Sequence, residues 1–257
     1  MKNYVPKLLM LITLAIMVSC KPTNGHKDDH TAKIDFPYTL EISATELSNA
    51  PALQSFAHGV HGDNWLLFAG RTNSIDGNGG LHNLNNDYAG GSFPAPSYNE
   101  NIFVYNVVKD SLVKMSLKDM MQTLKTKFPK NHKAVQGNIT VFRNSNPLAK
   151  QSGEYLYVIG GYGPMDFKNP KKGYETYNHV AKIHIASMIN LVYGDFDKVE
   201  ADKLFAVGHN DTLKNTGGEM MLTTGAFGNN MNVVIGQKFT GTPTGTQKYA
   251  DAVYPFT

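Results

Sequence analysis

Residues 65–71 read WLLFAGR, residues 155–161 read YLYVIGG and residues 231–237 read MNVVIGQ. Each stretch is a large residue, then an apolar run of β-forming side chains, then a glycine in the same register. An apolar run that ends in glycine predicts a strand that stops at a turn. Because this pattern occurs three times, the sequence predicts a fold that is built from repeated units.

A second block follows each of these strands. It reads YNENIFVY at residues 98–105, YNHVAKIH at residues 177–184 and YADAVYPF at residues 249–256, so the leading tyrosines are 79 and 72 residues apart. Aligning the blocks makes Gly70 equivalent to Gly160 and Gly236. The repeat predicts structural roles, in turns and packing, for Gly70, Gly160, Gly161, Gly236, Tyr98, Tyr177 and Tyr249.

Shorter β-type segments complete each unit. First strands are predicted at residues 56–60, 139–142 and 220–224, and a fourth strand is predicted at residues 111–116. Ser116 begins a helical pattern as its N-cap, since an acid follows three residues later. A weaker analogue of this fourth strand and its helix is expected at residues 195–205. Each unit is therefore predicted to be a four-stranded antiparallel sheet with a short helical link, and such sheets must stack to bury their faces.

The sequence VIGGYG at residues 158–163, with a tyrosine before the next strand, resembles the kelch repeat. The whole pattern is similar to kelch-type β-propeller lipoproteins of Bacteroidetes-like bacteria. The resemblance implies an all-β, kelch-like propeller, of which about three four-stranded blades are visible. The blade regions are residues 36–135 with the short helix, residues 136–215, and residues 216–257 as an incomplete blade.

Propellers usually have about 4–8 blades. Three visible blades lead to the expectation that the chain is the N-terminal part of a longer propeller. Otherwise, self-association of two copies would complete a six-bladed ring.

The N-terminal residues predict export. Lys2 and Lys7 precede an apolar stretch at residues 8–18, which is shorter than the roughly 20 residues that a membrane-spanning helix requires. The ending MVSC resembles the lipobox of bacterial lipoproteins, which implies cleavage after residue 19 and lipidation of Cys20. The alternative is an ordinary signal peptide with a stray cysteine. Residues 1–19 are thus a signal peptide, and the protein is expected to be lipid-anchored to a cell-envelope membrane, the outer membrane being favoured.

Residues 20–35 are polar and irregular, and they predict a flexible tether. This segment contains His26, Asp28, Asp29 and His30, which could catch a metal ion. A solvated linker is the favoured interpretation of these four residues, so no metal site is predicted.

Composition excludes several classes of protein. Removing two lysines with residues 1–19 leaves 22 basic against 21 acidic residues, so no basic field attracts nucleic acid. Cys20 is the only cysteine, which excludes an intramolecular disulfide and a cysteine-rich metal site. No phosphate-binding glycine motif is present, and no cofactor is predicted.

In kelch propellers, ligands usually lie near the central axis, at loops between strands. The resemblance therefore implies five candidate ligand-binding residues, namely His58, His61, Arg71, Arg143 and Lys238. The two histidines could form a metal pair only if the strand bends at Gly59, and structural roles are favoured. Arg71 could bind a carboxylate ligand or form a salt bridge between blades, and the salt bridge is favoured.

Two functions remain in view, together with the possibility of a non-functional fragment of a longer gene. The favoured one is a non-catalytic scaffold that binds a protein or a glycan, because no catalytic set is recognisable. The alternative is a carbohydrate-active enzyme similar to the kelch sialic-acid mutarotases, for which Arg71, His58 and Glu100 could serve. A copper galactose oxidase is excluded, because its cofactor needs a cysteine other than Cys20.

Overall fold

The computed structural model describes residues 39, 41–43, 47–72, 93–223, 230–239 and 247–256. Every element below belongs to one compact unit, Glu46–Thr257. The predicted signal peptide, Cys20 and the tether lie outside the described residues. No helix in the described part of the chain is long and apolar enough to cross a membrane.

The first sheet is a four-stranded antiparallel meander in chain order. Its strands are β1 (Ala57–His61), β2 (Asn64–Phe68), β3 (Asn101–Asn106) and β4 (Ser111–Ser116). β4 has the bounds that the sequence predicts, and β1 is displaced by one residue from residues 56–60.

Two helices lead away from the first sheet. Helix α1 (Leu117–Lys127) begins where the sequence predicts, because the Ser116 hydroxyl accepts a hydrogen bond of 3.0 Å from the Asp119 N–H. Pro129 does not simply follow the helix but begins a second one, α2 (Pro129–Gln136). A 3-10 turn (Ile139–Val141) then leads to the second sheet.

The second sheet repeats the meander and carries two additions. Its strands are β5 (Leu148–Ser152), β6 (Tyr155–Ile159), β9 (His179–His184) and β10 (Phe205–His209). Between β6 and β9 lies a small hairpin, β7 (Tyr162–Pro164) with β8 (Tyr174–Thr176). Between β9 and β10 lies helix α3 (Ile185–Tyr193), which ends at Gly194 in the left-handed conformation, φ 84°.

The third sheet is built around one long strand. It contains β11 (Thr216–Thr223), β12 (Asn230–Phe239), β13 (Gln247–Tyr249) and β14 (Tyr254–Phe256). β11 pairs with one edge of β12, whereas β13 and β14 pair with successive parts of its other edge. Together β13 and β14 occupy the place of a third strand.

The first strands of the three sheets lie side by side, with β5 between β1 and β11. A ladder of main-chain hydrogen bonds joins residues at or just before the starts of these strands. The Asn146 N–H donates to Ser55 O at 3.1 Å, and the Gly217 N–H donates to Asn146 O at 2.8 Å. All three residues have φ between 53° and 57°. Three successive antiparallel sheets with equivalent junctions are compatible with a propeller-like β fold.

Apolar side chains fill the spaces between the sheets. Between the first and second sheets, the ring of Phe142 lies 5.2 Å from that of Phe68 and 5.5 Å from that of Phe205. Helix α3 packs across all four strands of the first sheet. A smaller cluster between the second and third sheets contains Leu148, Ile159, Leu213 and Met220.

Two sequence predictions are wrong in the second unit. Residues 139–142 do not form its first strand: Ile139–Val141 is a 3-10 turn, and Val141 and Phe142 are fully buried in the core. The first strand is instead Leu148–Ser152. The helix of this unit also precedes the outer strand, whereas residues 195–205 contain only a 3-10 turn, Phe196–Lys198, and the start of β10.

Candidate functional site

One glycine of each sheet makes an equivalent main-chain contact: Gly70 and Gly161 follow β2 and β6, and Gly236 lies within β12. The main-chain oxygens of Gly70, Gly161 and Gly236 each accept a hydrogen bond, of 3.0, 2.8 and 2.7 Å, from the segment that leads into the third strand position. The donors are the N–H groups of Asn99, Tyr177 and Ala250. This geometry makes Gly161, rather than Gly160, the counterpart of Gly70 and Gly236. The sequence alignment is therefore shifted by one residue in the second unit.

Two of these glycines, Gly70 and Gly161, also join neighbouring sheets. The Gly70 N–H donates to Asn144 O at 2.7 Å, and the Gly161 N–H donates to Asn215 O at 2.9 Å. Asn144 and Asn215 are fully buried. We call these two hydrogen bonds the glycine seam. The sequence places glycine here because a Cβ atom on Gly161 would lie 2.6 Å from Asn144 Cγ, and one on Gly236 would lie 3.0 Å from Asn215 Cβ.

The three repeat tyrosines have different surroundings. Tyr98 and Tyr177 are buried, whereas Tyr249 is 72% exposed. The Tyr177 hydroxyl donates to Pro164 O at 2.8 Å. Burial raises the pKa of both Tyr98 and Tyr177 above the ordinary tyrosine range.

Arg71 is a buried contact between the first two sheets. Its side chain is 2% exposed, its Nε donates to Ser145 Oγ at 3.1 Å, and its guanidinium lies 4.2 Å from the centre of the Phe93 ring. Burial lowers the pKa of Arg71, and the nearby Tyr98 opposes that shift. Arg71 therefore connects the first two sheets through a hydrogen bond, and the salt bridge between blades that the sequence favours stays a prediction.

Arg143 lies at an open groove of about 600 Å³, which we call the loop-end groove. Its walls come from the start of α1, the 3-10 turn after α2, and the loop from Pro164 to Lys168. The guanidinium forms an ion pair with Glu100 and lies 3.9 Å from the centre of the Phe167 ring. Burial lowers the pKa of Arg143, whereas the Glu100 charge raises it.

His58 borders a different cavity, of about 330 Å³, which we call the inner-strand cleft. The cleft is lined by β1, β5 and β11, where Lys150 and Glu219 form an ion pair of 4.0 Å. Gln151 crosses this junction: its side chain accepts from the Val60 N–H at 2.7 Å and donates to Val60 O at 2.9 Å. The ring of His58 stacks on that of Trp65 at 6.0 Å.

The remaining two candidates, His61 and Lys238, line neither of these cavities. His61 is exposed at the end of β1, and the described residues contain no cluster of three or more acidic, histidine or cysteine side chains that could hold a metal ion. Lys238 Nζ donates to Asp211 O at 3.3 Å. His26, Asp28, Asp29 and His30 lie outside the described residues.

The structure does not bring the proposed mutarotase residues together. His58 lines the inner-strand cleft, Glu100 lines the loop-end groove, and Arg71 is buried between the sheets. Sequence reasoning missed Phe167, because it lies in the irregular insertion between β6 and β9. It also missed Gln151, whose polar side chain belongs to a strand that was not predicted.

No protein-family model matches the chain, and no curated protein matches it.

Proposed function

We propose that this protein is a non-catalytic binding module of the bacterial cell envelope: a lipid-anchored, kelch-like β-propeller that holds a protein or glycan partner at the loop-end groove. The repeated sheets, the glycine seam and the line of first strands support the kelch-like propeller. The apolar segment before Cys20 supports the anchor.

The loop-end groove carries the proposal. Both of its carboxylates are already ion-paired, Glu100 with Arg143 and Asp166 with Lys172 at 2.9 Å. A general base must be oriented toward a proton of the substrate, whereas these two carboxylates are oriented toward cations of this chain. A cavity of about 600 Å³ with mostly apolar walls is typical of a ligand-binding surface.

Photo-crosslinking in the native envelope tests the site. A photoreactive amino acid in place of Lys168, on the rim of the groove, is expected to give one discrete adduct of the lipidated chain. The same replacement at Lys133, which is exposed on α2 away from the groove, is the matched control. Protease and glycosidase treatment of the adduct identifies the class of partner. An absent adduct at position 168, or equal adducts at both positions, would contradict the proposal.

The anchor and the assembly can be tested by one measurement. We expect native mass spectrometry of protein extracted from its own membrane to show a chain that begins at Cys20, carries lipid and is paired with a second copy. The Cys20→Ser variant should lack the lipid. A lipid-free wild-type chain would disprove the anchor, and a monomer would disprove the pairing.

A further inference from the structure

The loop-end groove has an excess of cations. Lys118 and Lys168 are exposed and line the groove beside Arg143. Within the described residues neither lysine forms an ion pair, whereas both carboxylates of the groove do. The rim therefore carries uncompensated positive charge, although the chain as a whole is close to neutral.

The floor of the groove is apolar. It is formed by Leu117, Met121, Ile139 and Pro164, with the exposed Met165 beside them, and Thr140 supplies the one hydroxyl among the described lining residues. A glycan needs many hydrogen-bonding groups and an open aromatic face. Here one face of Phe167 is covered by Arg143, and Phe167 packs edge-to-face with Tyr98 at 5.3 Å. The lining fits apolar side chains better than sugar hydroxyls.

Arg143 itself has capacity for an anion. Its terminal Nη2 already contacts one carboxylate at the groove, that of Glu100, whereas its Nε is buried. Its ion-pair partner Glu100 is 59% exposed. Because Glu100 is exposed, a ligand can reach its side of the ion pair, and a ligand carboxylate can take its place on Arg143. Such a carboxylate would meet the planar guanidinium in the geometry that arginine favours.

From this arrangement we propose that the loop-end groove binds an acidic polypeptide segment that carries an apolar anchor side chain. The acidic groups contact Arg143, Lys118 and Lys168, and the anchor packs on the apolar floor near Met121. This inference rests on the proposed binding function and narrows its partner to a protein.

Fluorescence anisotropy with a defined probe tests the inference. The probe is a fluorescein-labelled decapeptide in which glutamate alternates with leucine, and the protein is the full lipidated chain in mild detergent. We expect saturable binding that weakens as salt rises, because exposed charges are screened. Peptides with lysine in place of glutamate, or with serine in place of leucine, should not bind.

Charge reversal assigns the binding to the groove. Because opposite charges across an interface are replaced by like charges, the double variant Lys118→Glu with Lys168→Glu is expected to weaken binding about tenfold or more. The matched variant Lys133→Glu should change it less than about twofold, because exposed charges outside a contact contribute little. Both lysines are exposed, so the double variant should remain folded, which the fluorescence of Trp65 can verify.

Three results would overturn the inference. They are no binding of the acidic probe, equal weakening by the double variant and by Lys133→Glu, and displacement of the bound probe by N-acetylneuraminate through the same groove. The binding function would still stand if crosslinking from position 168 gave an adduct while the acidic probe failed. It would fall with the inference if neither experiment gave a signal.

Discussion

Replacing Gly160 with alanine is expected to lower the free energy of unfolding by about 3 kcal/mol, since strain and overpacking add. Gly160 has φ 62°, and a Cβ atom there would lie 2.9 Å from the carbonyl carbon of Asn215 and 3.2 Å from its nitrogen. These are main-chain atoms, so no side-chain rotation can relieve the contact. The main-chain shift that relieves this contact would also lengthen the hydrogen bond from the Gly161 N–H to Asn215 O, which belongs to the glycine seam.

The chain supplies its own control for this substitution. Ala69 is the counterpart of Gly160 in the first sheet, and it has φ 56° with a Cβ atom present. Ala69→Gly should therefore be neutral or stabilise by up to about 1 kcal/mol. Gly208→Ala, at a position with nothing within 4 Å, should be tolerated. Urea unfolding followed by Trp65 fluorescence measures all three. A near-neutral Gly160→Ala variant would show that the seam is not rigid.

The stability of the domain is expected to fall by about 2–3 kcal/mol between pH 7 and pH 4.5 because of His179. Its side chain is 2% exposed, its ring stacks on Tyr177 at 5.7 Å, and its Nε2 has no hydrogen-bond partner in the described part of the chain. Burial, reinforced by the charge of His209, lowers the pKa of His179 from 6.5 to about 3.

The direction of the pKa shift of His179 determines how the stability of the domain changes with pH. The unfolded chain protonates His179 below about pH 6.5, whereas the folded chain stays neutral until about pH 3. The contribution of neutral His179 to the free energy of unfolding is therefore fully present above about pH 6.5, and it is lost as the pH falls toward 3. Urea midpoints at several pH values should show a flatter dependence for His179→Phe than for wild type. The exposed control, His58→Gln, should retain the wild-type slope. Equal slopes in all three proteins would contradict the prediction.

Much of the fold follows from local sequence signals. The strand Ser111–Ser116 and the cap at Ser116 are correct because the turn, the alternation and the acid at the third helical position agree. The prediction failed at residues 139–142, because the β-branched residues Ile139, Thr140 and Val141 fit a partly buried 3-10 turn as well as a strand. β5 (LAKQS) was missed because Lys150 and Gln151 face the inner-strand cleft rather than a core.

The shifted register has a physical cause. Two consecutive glycines at positions 160 and 161 offer two alignments, and only hydrogen bonds distinguish them.

The candidate site was only partly predictable from the sequence. Arg143 stands out as a cation in a β-rich repeat, but its contact with Phe167 depends on the hairpin of β7 and β8. That insertion is not part of the repeat, so no periodic signal places it.

Two sets of contacts between neighbouring sheets are made by peptide groups alone. The glycine seam and the ladder through Ser55, Asn146 and Gly217 use main-chain donors and acceptors throughout. Each unit therefore carries the donors and acceptors of this joint in its own main chain, beside side-chain contacts such as that of Arg71 with Ser145. Insertions such as the one that carries Phe167 can then diverge without loosening the joint.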